Sequence, residues 1–188
     1  MKPTCFVIQP FDGGRYDKRY NDVYEPAIRA AGLEPYRVDK DPHVEIPIRD
    51  IEEGIRAAEI CFAEITIDNP NVWFELGYAI SAQKPVVLVC ARERERFPFD
   101  VQHRIIIRYD TDSASDFLQL KNELIQRLKG TLDRQREIST VANLKAVASG
   151  SHGLSQAEIA TLVLIATHEK LNSYAMSGYK IRREMDQA

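Results

Sequence analysis

The sequence predicts an open α/β fold, with five parallel strands in one sheet, helices on both faces, and a small C-terminal helical extension. Three observations carry this. Short, continuously apolar runs recur at Cys5 to Ile8, Ile60 to Thr66 and Val86 to Cys90, the pattern of strands buried on both faces. Segments with apolar residues at helical spacing alternate with them. The alternation stops near Gly130.

The elements follow in order. Cys5 to Ile8 is a strand, and Gln9-Pro10-Phe11-Asp12-Gly13-Gly14 is the loop behind it. Asp17 to Ala31 is a helix with Tyr20, Val23, Tyr24, Ala27 and Ile28 on one face and Gly32 as its stop. Pro26 lies inside that pattern and predicts a kink or a late start. Leu33 to Val38 is a strand, and Ile48 to Ala58 a helix. Ile60 to Thr66 is the third strand and Val72 to Gln83 the third helix; Val86 to Cys90 is the fourth strand. Arg92 to Arg96, with alternating charge, reads as a solvated loop, and Phe97 to Asp100 as a turn. Ile105 to Tyr109 is the fifth strand, and Asp116 to Leu128 a helix with Phe117, Leu120 and Leu124 on its core side. This sets an α/β domain at residues 1–130 and an extension at 131–188. In the extension Thr131 to Ala148 is polar and helical. Ser149 to Gly153 is a flexible break, and Ser155 to Glu158 fits a capping box ahead of an apolar stripe from Ile159.

Composition narrows the function. The chain has 188 residues, 44% hydrophobic and 28% charged, with a formal net charge of -3. That balance gives no electrostatic pull toward nucleic acid or a membrane surface. No apolar run approaches the roughly 18 residues of a membrane span, and Met1-Lys2-Pro3-Thr4 lacks a signal pattern. Cys5, Cys61 and Cys90 sit in apolar runs without a Cys-x-x-Cys pair, as expected for buried free thiols in a reducing cytoplasm. His43, His103, His152 and His168 show no ligand spacing, so neither a metal nor a cofactor is expected.

The candidate site is the junction Asn69-Pro70-Asn71-Val72-Trp73-Phe74-Glu75. Asn69 or Asn71 caps the helix and Pro70 suits its first turn. Glu75 then falls about one turn in, where helix-end N–H groups hold a carboxylate ionised and its pKa down. An ionised Glu suits a nucleophile or a cation stabiliser. In a flavodoxin-like sheet of order 2-1-3-4-5, ligands bind beyond the strand ends where the order reverses. That point brings together the loop Gln9 to Tyr16 and the loop Thr66 to Asn71. The candidate binding residues are therefore Phe11, Asp12, Gly13, Gly14, Arg15 and Tyr16 from the first loop, and Asp68, Asn69 and Asn71 from the second. Trp73 and Phe74 are read as core residues or as stacking partners for a base.

Several of these runs carry a resemblance. Cys5 to Phe11 (CFVIQPF), Ala63 to Thr66 (AEIT), Asn69 to Ala79 (NPNVWFELGYA), Lys84 to Val89 (KPVVLV) and Pro98 to His103 (PFDVQH) resemble the nucleoside 2-deoxyribosyltransferase-like superfamily and the bacterial TIR-like proteins that share its architecture. The resemblance spans about Lys2 to Gly130. It implies that Glu75 is the nucleophile at a sugar anomeric carbon or the residue that carries NAD cleavage. Glu64 stands where the family usually has Asp, which implies a shifted substrate or a lost activity. Asp12, Asp39 and Asp68 are candidates for the base-binding carboxylates. The resemblance also allows a homo-oligomer with sites completed across subunits.

Two readings of the site follow. In the first, an enzyme cleaves or transfers at an N-glycosidic bond of a nucleoside or nucleotide. NAD or a related nucleotide is favoured as substrate, because nicotinamide leaves a cationic substrate as a neutral molecule and one carboxylate suffices. In the second, a non-catalytic module senses a nucleotide through the same crevice. A separate reading concerns Leu154 to Met185, which resembles the opening helices of a winged-helix unit, with a small basic cluster at Lys180, Arg182 and Arg183. Dimerisation or packing is the role expected of it, and nucleic-acid binding is not.

Overall fold

The computed structural model describes residues 2–43, 47–98, 101, 103–150 and 158. Its five strands are β1 (Thr4–Ile8), β2 (Glu34–Tyr36), β3 (Ile60–Glu64), β4 (Val86–Ala91) and β5 (Ile106–Tyr109). They form one parallel sheet in the order β2-β1-β3-β4-β5, the order expected from the sequence. Pro35 sits in β2, where an edge strand tolerates its missing N–H.

Each face carries its own core. Behind α1 (Arg15–Arg19), Cys5, Val7, Phe62 and Val89 pack under a π-helical turn (Tyr20–Tyr24), α2 (Glu25–Ala30) and the first part of α5 (Ala114–Gly150). Phe6, Ile8, Cys61, Ala63 and Cys90 pack under α3 (Pro47–Ala57) and α4 (Pro70–Ser81). Gly54 on α3 permits close contact with the sheet, since a Cβ there would come within 2.8 Å of the Phe6 ring and 2.9 Å of Tyr36. The three cysteines are buried free thiols whose pKa values burial raises.

Two helices differ from expectation. The first helical run starts at Arg15 and continues past Pro26 to Ala30. Pro26 donates no hydrogen bond and crowds the preceding turn. A wider π-helical turn lies directly ahead of it, where the proline misfit falls, and the run does not begin late. The second is α5, 37 residues long and unbroken through Gly130. One helical glycine costs about 1 kcal/mol relative to alanine, too little to stop a helix anchored by Leu120, Leu124 and Leu128. The chain divides into two compact units, Met1–Leu132 and Asp133–Ala188, with the division inside α5. Ser149 and Gly150, the first two residues of the expected break, are helical and close α5; the rest of the break, the apolar stripe and the winged-helix resemblance lie outside the described residues, as does the capping box apart from Glu158. No helix among the described residues is long and apolar enough to cross a membrane.

Candidate active site

The junction before α4 forms as a capped helix start. Asn69 Oδ1 accepts from the backbone N–H groups of Asn71 (2.9 Å) and Val72 (3.3 Å), and Asn69 O accepts from Trp73 N–H at 3.0 Å. Pro70 has no N–H to offer. Every early donor of α4 is therefore used before Glu75, which lies in the second turn. Glu75 is 3% exposed, and among the described residues its carboxylate takes part in no hydrogen bond or ion pair. Burial, with a smaller contribution from Asp39, raises its pKa to about 7. This corrects the expectation of a depressed value: the helix-end donors are spent on the cap, and desolvation dominates.

Glu75 faces a cleft of about 460 Å³. Phe11 comes to it from the loop after β1, and Asp39 from the 3-10 turn after β2 (Val38–Lys40). Ile48 joins from α3, and Asn71 and Phe74 from α4. Phe11, Ile48 and Phe74 are 42%, 46% and 47% exposed. The cleft is thus a carboxylate pit with an apolar rim at the carboxyl end of the sheet, a usual place for a ligand in such folds.

The two loops contribute less than their positions suggested. Of the nine candidate binding residues, the cleft gathers Phe11 and Asn71. Asp12 accepts hydrogen bonds from the backbone N–H groups of Gly14 (2.9 Å) and Tyr16 (3.1 Å) and so caps α1. Gly13, at φ +61°, turns the loop and donates its N–H to Asp17 at 2.7 Å. Gly14 is the residue from which α1 starts. Tyr16 is buried, and Arg15 reaches its hydroxyl (3.0 Å) and Glu93 (3.2 Å) along a different groove. Asp68 pairs with Arg94 at 2.6 Å and accepts from the Trp73 indole N–H at 3.2 Å. Asn69 is occupied as the α4 cap. The run Arg92 to Arg96 is more than a solvated loop: the Arg94 side chain is 9% exposed and packs against the Trp73 and Phe97 rings.

Glu64 lies on the opposite face of the sheet and lines no part of the cleft. Its carboxylate is fully buried and accepts from the Tyr109 hydroxyl (2.6 Å), the Thr66 N–H (2.8 Å), and the hydroxyls of Tyr24 and Thr66. The longer side chain at this position thus joins β3, β5 and the π-helical turn.

Sequence reasoning missed Arg37. Its side chain is 1% exposed. It donates from Nη2 to Asp17 (2.7 Å) and from Nε and Nη2 to Asp39 (2.9 and 2.5 Å). The guanidinium also lies over the rings of Phe11 and Tyr20, at 4.9 and 4.5 Å. One arginine therefore positions two members of the cleft, Phe11 and Asp39. The available signal was the pair Arg37 and Asp39 just beyond the end of a strand.

No family model and no curated protein matches the chain. Among solved structures, the chain is similar to the CMP N-glycosidase of Clostridium botulinum, at 15% identity and a TM-score of 0.45, over 63% of this chain and 98% of that one. It is also similar to a 2-deoxyribosyltransferase of Bacillus psychrosaccharolyticus, at 18% identity and a TM-score of 0.48, over 63% of this chain and 90% of that one.

Proposed function

We propose that the chain cleaves, or transfers across, the N-glycosidic bond of a nucleoside or nucleotide, with Glu75 as the group that meets the sugar. The observation that carries this is a buried carboxylate, without a partner among the described residues, facing a cleft large enough for a nucleoside. Breaking the bond develops cationic character on the sugar carbon, and an ionised Glu75 stabilises or attacks that carbon. The bonding pair departs with the base. In transfer, a second base then takes the sugar; in hydrolysis, water does.

The leaving base selects the substrate class. Asp39 shares the cleft, but both of its carboxylate oxygens accept hydrogen bonds from Arg37, so neither is turned to a leaving base as a donor. A neutral base would need such a donor, whereas a pyridinium base leaves as a neutral molecule without one. Two carboxylates in a cleft also lined by the exposed rings of Phe11 and Phe74 suit a flat cation. These features support NAD or a related nicotinamide nucleotide as substrate.

The test is mass spectrometry of NAD, deoxynucleosides and nucleoside monophosphates incubated with wild type and with Glu75→Gln. Base release from at least one of them by the wild type, lost in the variant, is expected. A wild type that leaves every substrate intact overturns the proposal.

A further inference from the structure

A second hollow lies on the other face of the sheet from Glu75. α1 and the π-helical turn form one wall, and the first turns of α5 form the other. Its volume is about 480 Å³, the size of a small-molecule site. Arg15, Lys18, Arg19 and Lys121 line it against a single carboxylate, Asp22. The chain as a whole carries a charge of -3, so this gathering of cations runs against its average.

The cations differ in freedom. Arg19 is 6% exposed, donates to the Tyr109 hydroxyl at 2.5 Å, and lies over the Tyr16 and Phe117 rings at 5.5 and 5.2 Å. It is a fixed charge in the floor. Arg15 pairs with Glu93 at 3.2 Å, with both side chains 51% exposed. An exposed pair of that kind is weak and yields to a competing anion. Among the described residues, the Lys18 and Lys121 side chains have no hydrogen-bond or ion-pair partner. Between the cations, Leu118 is 60% exposed beside Phe117. The hollow therefore offers separated positive charges around an apolar patch.

The geometry points to a binding site for an organic phosphate, with phosphate oxygens at Arg15, Lys18 and Lys121 and an aromatic or apolar portion against Phe117 and Leu118. Several separated cations match several anionic oxygens better than one carboxylate does. The size of the hollow fits a mononucleotide. This inference does not depend on the chemistry assigned to Glu75.

Isothermal titration of the full chain with ATP, and with sodium tripolyphosphate as the anion alone, tests it. ATP is expected to bind wild type and Glu75→Gln alike, and more weakly as salt rises. The double variant Lys18→Glu with Lys121→Glu is expected to lose at least tenfold in affinity for both probes, and Lys18→Gln with Lys121→Gln to fall between. Leu118→Ala weakens ATP but not tripolyphosphate. Absence of binding by both probes, or binding indifferent to the two lysines, overturns the inference.

Discussion

Glu75→Gln tests the environment of the site without any substrate. The wild-type carboxyl moves from an ordinary pKa of 4.5 to about 7 on folding. One pKa unit corresponds to about 1.4 kcal/mol, so the fold disfavours the ionised form by about 3 kcal/mol. Because the folded pKa is the higher one, this contribution is fully present below pH 4.5 and is lost as pH rises through 7. Glutamine keeps the shape and never ionises. The variant should match the wild type near pH 4.5 and exceed its stability by up to about 3 kcal/mol at pH 8. For a chain of this size that is a difference in Tm of about 6–12 °C, opening between pH 5 and pH 8. Thermal unfolding of both proteins across that range measures it. A difference that stays flat with pH would refute the claim that Glu75 is buried without a partner, and the catalytic proposal would lose its footing.

Three further outcomes follow from the same geometry. If Glu75 acts ionised, kcat/KM for base release should rise with pH to a plateau above an apparent pKa near 7, and a pH–rate profile shows this. Arg37→Met should destabilise the chain by about 2–4 kcal/mol in chemical denaturation, since it leaves Asp17 and Asp39 side by side and unbridged. Glu64→Leu should cost a similar 2–4 kcal/mol by stranding the Tyr24, Tyr109 and Thr66 donors. The folded fraction of that variant should keep wild-type ligand affinity, because Glu64 faces away from the cleft.

The central strands were legible because a doubly covered sheet leaves continuous apolar runs that local reading detects. The α4 start was legible for the same reason: Asn-Pro-Asn states its own capping chemistry. The electrostatics of Glu75 were not, because they depend on where the neighbouring donors go. Asn69 takes the N–H groups of Asn71 and Val72, and packing removes water from the carboxylate. The polar loop after β1 carried a similar trap. Asp12 and Gly13 looked available to a ligand, yet they turn the chain and cap α1, leaving Phe11 to reach the cleft. Arg37 follows a three-residue edge strand with no periodicity to mark it, and Asp39 was legible only as one of three candidate carboxylates. Their meeting with Phe11 and Glu75 exists only in three dimensions.

The two buried glutamates bear on how to read the bare one. Glu64 shows that this fold can bury a carboxylate and satisfy it, with donors from three separate segments converging on both oxygens. Glu75 is buried nearly as deeply, yet the donors around it are turned to the helix cap and its strongest charged neighbour is another carboxylate. Leaving a carboxylate in that state costs stability that glutamine would restore. A cost concentrated at one side chain, on the rim of an apolar cleft and at the end of the sheet where ligands bind, matches a group kept for its reactivity. The contrast separates the glutamate of β3 that holds the fold from the glutamate of α4 that faces the cleft.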